Sequence, residues 1–342
     1  MNFVSDNAYG ASAEILAALT AANTGAVPSY GDDLITARVQ DRLSAIFARD
    51  VRSFPVATGT AANSLILATL CPPYGAVFCH AESHIAVDEC AAPEFFSGGA
   101  KLVLLDGDGA KITPAIIEAV LPNFQRGVHS PKPSVVSITQ ATELGTLYTP
   151  AEIRAIADTA HKNGMTLHMD GARFANAVAT LGCNPADITW RVGVDALSFG
   201  ATKNGALCAE AAVFFDPAMA KDFEYRRKKG GHLFSKMRFI SSQLDAYLED
   251  DRWLKTAARA NGLAAALARG LKQIDGAELA YEVQANEIFV WLPNASVKRL
   301  RDTGAKFYDW MPPRNGKTLV RLVTSFATPE IDVAKFLELA RS

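Results

Sequence analysis

Cysteine is scarce in this chain and unpaired by spacing: Cys71, Cys79, Cys90, Cys183 and Cys208 are odd in number and form no CxxC, which argues against a disulfide framework or zinc cluster. They lie in apolar segments and read as buried, reduced thiols, which favours the cytosol. A dominant charge is also missing. With 34 Lys+Arg against 36 Asp+Glu the formal net charge is -2, so there is no basic field to attract nucleic acid or an anionic membrane. No apolar stretch is long enough to span a bilayer, and the opening MNFVSDNAYG has no basic region followed by an apolar core. The GxGxxG of dinucleotide folds and the lysine-bearing phosphate loop of nucleotide hydrolases are absent too. The expectation is a cytoplasmic protein, neither exported nor membrane-bound, whose partner is a small molecule and whose site holds no metal.

What is present is apolar mass and alternation. Hydrophobic residues make up 49% of 342, enough for one large core and a smaller one. From about residue 52 to 215, the β-rich runs SFPVAT, AVFCH, KLVLL, SVVSIT, TLHMD, ALSFG and AAVFF alternate with helical sequence, which predicts helices covering a largely parallel sheet. Thr149, Pro150 and Glu152 form a capping-box pattern at one helix start. After Gly230 and Gly231 a helical run is expected from about 235 to 274. AELAYEV, EIFVWLP and LVRLVTSF then read as strands, with SVKRLRDTG and TPEIDVAKFLELA as helices. The predicted division is a large domain with an N-terminal arm at 1–250 and a small α/β domain at 251–342.

Polar residues recur where strands end, the edge at which open α/β sheets place their sites. Thr58, Gly59 and Thr60 stand where a strand gives way to a helix, a seat for a phosphate or simply a capped turn. His80 and His84 follow the next strand; either is a structural histidine or a ring able to lie against a flat cofactor and exchange protons. Asp170 closes the strand in LHMDGAR with Arg173 on the turn after it, and Lys203 follows LSFG. A carboxylate and an amine on neighbouring strand ends suit pyridoxal 5'-phosphate (PLP). The amine holds the aldehyde as a Schiff base, and the carboxylate keeps the pyridine nitrogen protonated. Arg321 sits among apolar neighbours in LVRLVTSF, where a guanidinium needs a carboxylate partner, such as that of a substrate. The basic run YRRKKGG at 225–231 is a solvated helix face or a source of phosphate-binding charge, including for a neighbouring subunit.

These motifs, with SDN at 5–7, YGDD at 30–33, GTAAN at 59–63, HMDGARFANAVATLGC at 168–183 and GATKNG at 200–205, resemble the low-specificity L-threonine aldolase (β-hydroxy-α-amino acid aldolase) family over nearly the whole chain. The resemblance implies the aspartate-aminotransferase-type PLP fold (fold type I), assembled as a homodimer or homotetramer with active sites at the dimer interface. It implies Lys203 as the Schiff-base lysine, Asp170 as the partner of the ring nitrogen, His84 stacked on the cofactor, and Gly59 and Thr60 under the phosphate. Ser5, Arg173 and Arg321 match positions that hold the substrate carboxylate. Tyr30 would come from the other subunit, and Lys228 and Lys236 are looser matches to basic residues around the phosphate.

The implied reaction is the reversible cleavage of L-threonine, L-allo-threonine and related β-hydroxy-α-amino acids to glycine and an aldehyde, with His84, or a water it positions, as the base. A β-eliminating lyase or an aminotransferase would share the fold, and a nucleotide-binding oxidoreductase or a plain small-molecule binder is the reading from outside the class. Where many members carry a His-Asn segment, this chain reads QATELGTLY at 140–148, so the second active-site histidine is missing and Glu143 or Thr142 takes its place.

Overall fold

A computed structural model describes residues 1–341. Seven strands form the large sheet: β1 Arg52–Val56, β2 Gly75–His80, β3 Lys101–Leu105, β4 Lys132–Thr139, β5 Thr166–Gly171, β6 Ala196–Gly200 and β7 Glu210–Phe214. Their order is β1-β7-β6-β5-β4-β2-β3. β3, β2, β4, β5 and β6 pair in parallel, while β7 runs antiparallel between β6 and β1. Every residue of β2, β6 and β7 is buried, as expected of continuous apolar strands covered on both faces. A mostly parallel sheet with an antiparallel strand near one edge agrees with the architecture that the resemblance implies.

One strand running against the others has a consequence for the site. The carboxyl ends of β1, β2, β4, β5 and β6 lie at the same edge as the amino end of β7, where Glu210 pairs with Val56 and Gly200. That edge gathers polar residues from the connections that follow these five strands.

A second sheet, antiparallel throughout, contains β8 Glu278–Leu279, β9 Glu287–Pro293, β10 Tyr308–Arg314 and β11 Lys317–Val323 in the order β10-β11-β9-β8. It packs its own apolar cluster with the helices Arg252–Leu271, Asn294–Asp302 and Glu330–Arg341. The N-terminus belongs to this layer. Phe3 is fully buried, edge-on to Phe336 at 5.2 Å, and its backbone bonds Lys306 and Val323.

Three expectations need correction. The helical run at 235–274 is two helices, Arg238–Leu248 and Arg252–Leu271, broken where Asp250 and Asp251 adopt φ of 52° and 54°, a left-handed turn that aspartate tolerates. AELAYEV supplies a strand of two residues only, and β10 went unread because Pro312 and Pro313 sit in it; both prolines are tolerated because β10 is an exposed edge. Cys90 is exposed on a left-handed turn with φ of 50°, whereas Cys71 and Cys79 are buried; all five thiols are free. The capping box forms as expected, with Thr149 Oγ1 accepting from Glu152 N–H and Glu152 Oε2 accepting from Thr149 N–H. Among the described residues no helix is long and apolar enough to cross a membrane.

Candidate active site

At the shared edge lies a cavity of about 370 Å³ lined by Gly59, Thr60, His84, Asp170, Arg173 and Lys203. Thr58 caps the helix Gly59–Leu70 by accepting from Ala61 N–H at 3.1 Å. The amides of Gly59 and Thr60 have no partner within the helix, because the first turn has no preceding carbonyls to bond. A Cβ placed on Gly59 would meet nothing within 4 Å, so the helix end opens onto free space where an anion can approach the amides.

Asp170 ends β5 nearly buried. Its Oδ1 accepts from Ala172 N–H at 3.0 Å and its Oδ2 from Asn63 Nδ2 at 2.7 Å. The same Asn63 nitrogen donates to Glu89 Oε1 at 2.8 Å, and that oxygen also meets His84 Nδ1 at 2.8 Å. His84, Glu89 and Asp170 bring their donor atoms within 4.8 Å of one another. An N–H donor already bridges the two carboxylates, however, and a cation there would have to displace it. The bond to Glu89 raises the His84 pKa above its ordinary value despite burial, while burial raises that of Glu89; between them the pair holds a proton. Below the ring site, His168 is pushed down to about 4 by burial and stays neutral between Ser137 and Ser198.

Lys203 stands on the short turn Thr202–Asn204 that follows β6. The turn is fixed from behind, since Asn204 Nδ2 donates to Tyr247 Oη and Trp253 O, each at 2.8 Å. From β7, Glu210 Oε2 accepts from Ala201 N–H at 2.9 Å, and burial pushes this carboxyl up to about 7.

On the other side of the cavity Arg173 is engaged by two buried carboxyls. Nε and Nη2 fork onto Asp6 at 2.8 and 3.0 Å, and Nη1 lies 3.1 Å from Glu287. Burial would raise the Asp6 carboxyl, but Arg173 and then Lys203 outweigh it and hold Asp6 below its ordinary value; for Glu287 burial prevails. Arg321 is differently placed. Its Nη2 donates to Val4 O at 3.3 Å, its guanidinium lies over Tyr308 and Trp310 at 5.3 and 5.2 Å, and its Nε has no partner.

Ser5, Tyr30, Lys228, Lys236 and Arg321 are not on the cavity wall. Ser5 caps the turn that carries Asp6 by accepting from Asn7 N–H. Tyr30, half exposed with φ of 61°, lies under Lys228 Nζ at 4.7 Å. Sequence reasoning missed Asp6, Asn63, Glu89, Glu210 and Glu287. Of these, Asp6 had a signal in the SDN segment and Asn63 in GTAAN; Glu89, Glu210 and Glu287 are single polar residues with no pattern around them.

The residues present fit PLP on structural grounds: a helix N-terminus open for a phosphate, a buried carboxylate for a ring nitrogen, and a lysine on the same cavity. The beta-eliminating lyase family model matches residues 2–295. The low specificity L-threonine aldolase of Pseudomonas sp. (strain NCIMB 10558) is 46% identical over 338 residues, covering 99% of this chain and 95% of that protein. The enzyme of the same name from Pseudomonas aeruginosa is 45% identical over 339 residues, covering 99% and 96%. A solved structure of Leishmania major threonine aldolase superposes with a TM-score of 0.93 at 28% identity, covering 99% of this chain and 98% of that one. The chain therefore belongs to the beta-eliminating lyase family and, within it, to the low-specificity L-threonine aldolases, lyases whose cofactor is pyridoxal phosphate.

Proposed function

We propose that the protein cleaves L-threonine, L-allo-threonine and related β-hydroxy-α-amino acids to glycine and an aldehyde, in a reversible retro-aldol reaction. The observation that carries this reading is the convergence of Lys203, Asp170 and the N-terminus of the helix Gly59–Leu70 on one cavity. When bound, PLP supplies an electron-accepting ring conjugated to the substrate nitrogen. Lys203 is the amine that would hold it covalently. Asp170, fixed by Asn63 and Ala172, would present its carboxyl to the ring nitrogen. Gly59 and Thr60 would receive the phosphate, and His84, oriented by Glu89, would hold the ring.

The substrate carboxylate is assigned to Arg321, whose Nε is free to donate, beside Arg173, whose position Asp6 and Glu287 fix. A planar fork binds a carboxylate in one orientation and so selects which bond at Cα faces the ring. Tyr30, Lys228 and Lys236 lie off the cavity, on a surface that also exposes Leu34 and Tyr225. That supports a homodimer or homotetramer in which they serve the neighbour's site. The free thiols agree with a cytoplasmic location.

The test is to incubate the purified protein with L-threonine, L-allo-threonine and L-phenylserine. Aldehyde and glycine should appear together without added keto acid. A keto-acid requirement would indicate an aminotransferase, and ammonia release a β-elimination.

A further inference from the structure

Glu143 stands on the cavity wall with His84, Asp170 and Arg173, on the segment 140–148 that holds no histidine. Its Oε1 is committed, accepting from His84 N–H at 2.9 Å and from Thr139 Oγ1 at 2.7 Å. Its Oε2 is sheltered from water and has no partner. Thr142, the other residue that could fill this space, is fully buried and uses its hydroxyl on Gly109 O and Thr146 Oγ1. The turn is pressed against β9 at Gly145, where φ is 73° and a Cβ would stand 3.1 Å from that of Glu287, so the carboxyl is held in place.

We propose that Glu143 exchanges the proton of the substrate's β-hydroxyl, a catalytic role that rests on the retro-aldol reading above. In the cleavage direction the hydroxyl O–H breaks and its proton passes to Glu143 Oε2. The oxygen's electron pair completes the aldehyde carbonyl as Cα–Cβ breaks, and the pair from that bond stays with the glycine fragment, whose Cα is then reprotonated. In synthesis Glu143 returns its proton to the new alkoxide. His84 is the poorer acceptor, because its bond to Glu89 favours the protonated ring, in which both nitrogens carry hydrogen. Burial pushes Glu143 up to about 7, and the charge of Asp170 adds to the rise. Arg173 and His84 face it from their own elements, and Cys79 and Tyr148 nearby stay neutral, both raised chiefly by burial. A base with a pKa near the working pH is efficient in both directions.

Glu143→Gln in the holoenzyme separates proton transfer from positioning, since the amide oxygen still accepts from His84 and Thr139. Its kcat/KM for L-threonine should fall at least about 10²-fold. The wild-type limb that rises with pH through about 7, as the carboxylate forms, should vanish. Exchange of the glycine α-hydrogen with deuterated water involves no β-hydroxyl and should continue at the wild-type rate. Independently of turnover, a carboxyl resonance of ¹³C-Glu-labelled protein should titrate near 7 and disappear in the variant. Unchanged threonine cleavage, equal loss of cleavage and glycine exchange, or a Glu143 resonance in the ordinary carboxylate range would each overturn the proposal. A wild-type protein that exchanges glycine but releases no aldehyde would instead overturn the retro-aldol reading, and this inference with it.

Discussion

The two sides of the cavity are built differently. On the ring side, Asp170, Asn63, Glu89 and His84 form one hydrogen-bonded chain drawn from the large sheet and its first helices. On the carboxylate side, Arg173 on the turn after β5 is clamped by Asp6 from the N-terminal arm and Glu287 from β9, with Arg321 of β11 nearby and its Nε unpaired. The ring side is preorganised by one rigid layer, whereas the carboxylate side depends on how the arm and the second sheet dock. The first should govern how fast bonds break, and the second how well substrate binds and how firmly the layers hold together.

The largest expected effect lies on the ring side. Asp170→Asn preserves the size of the side chain but removes its charge, so the cofactor should remain bound while kcat falls about 10²-fold or more. Near wild-type turnover would reduce Asp170 to a residue that holds Asn63 and the Ala172 turn.

Arg321→Lys probes the other side. A point-charge ammonium cannot reproduce a planar fork, and losing a hydrogen bond to a charged group costs about 1.5–3 kcal/mol, so KM for L-threonine should rise roughly 10–100-fold with little change in kcat. A kcat loss as large as that of Asp170→Asn would erase the distinction between the two sides.

The contrast also explains what could be read from the chain. That Asp170, Lys203 and Gly59 would line one cavity was legible because each lies at or just past the end of an apolar strand, and an open α/β sheet brings such ends together. The capping box at Thr149 was legible because its signals are local. The partners of Asn63 and Glu89 were not, since neither the end of GTAAN nor a glutamate on the turn after a short helix carries a mark of the side chains it will meet. Glu287 was hidden for a related reason: its partner Arg173 lies more than a hundred residues away, and only the docking of the second sheet brings them together. Glu210 escaped because it precedes the apolar run AAVFF, whose direction the pattern leaves open; running antiparallel, β7 places its first residue at the active edge.

Glu210 should give the smallest effect, on stability. Its carboxyl ordinarily titrates near 4.5 and is raised to about 7 in the fold, so the protonated form is favoured there. The stability it contributes is complete below about 4.5 and is lost as pH rises through about 7. Glu210→Gln cannot ionise and should flatten that decline, by about 1–3 kcal/mol in denaturant unfolding of the holoenzyme at pH 8 compared with pH 5. An identical pH profile for the variant would mean that the Glu210 charge is compensated in the fold, with Lys203 the nearest candidate.

The most direct test of the account is to reduce the holoenzyme with borohydride and map the modified peptide by mass spectrometry. The cofactor's mass should be fixed on Lys203, and a Lys203→Ala protein should retain none after denaturation. Modification of a different lysine in the wild type, or covalent cofactor persisting in the variant, would contradict the assignment on which both sides of the cavity depend.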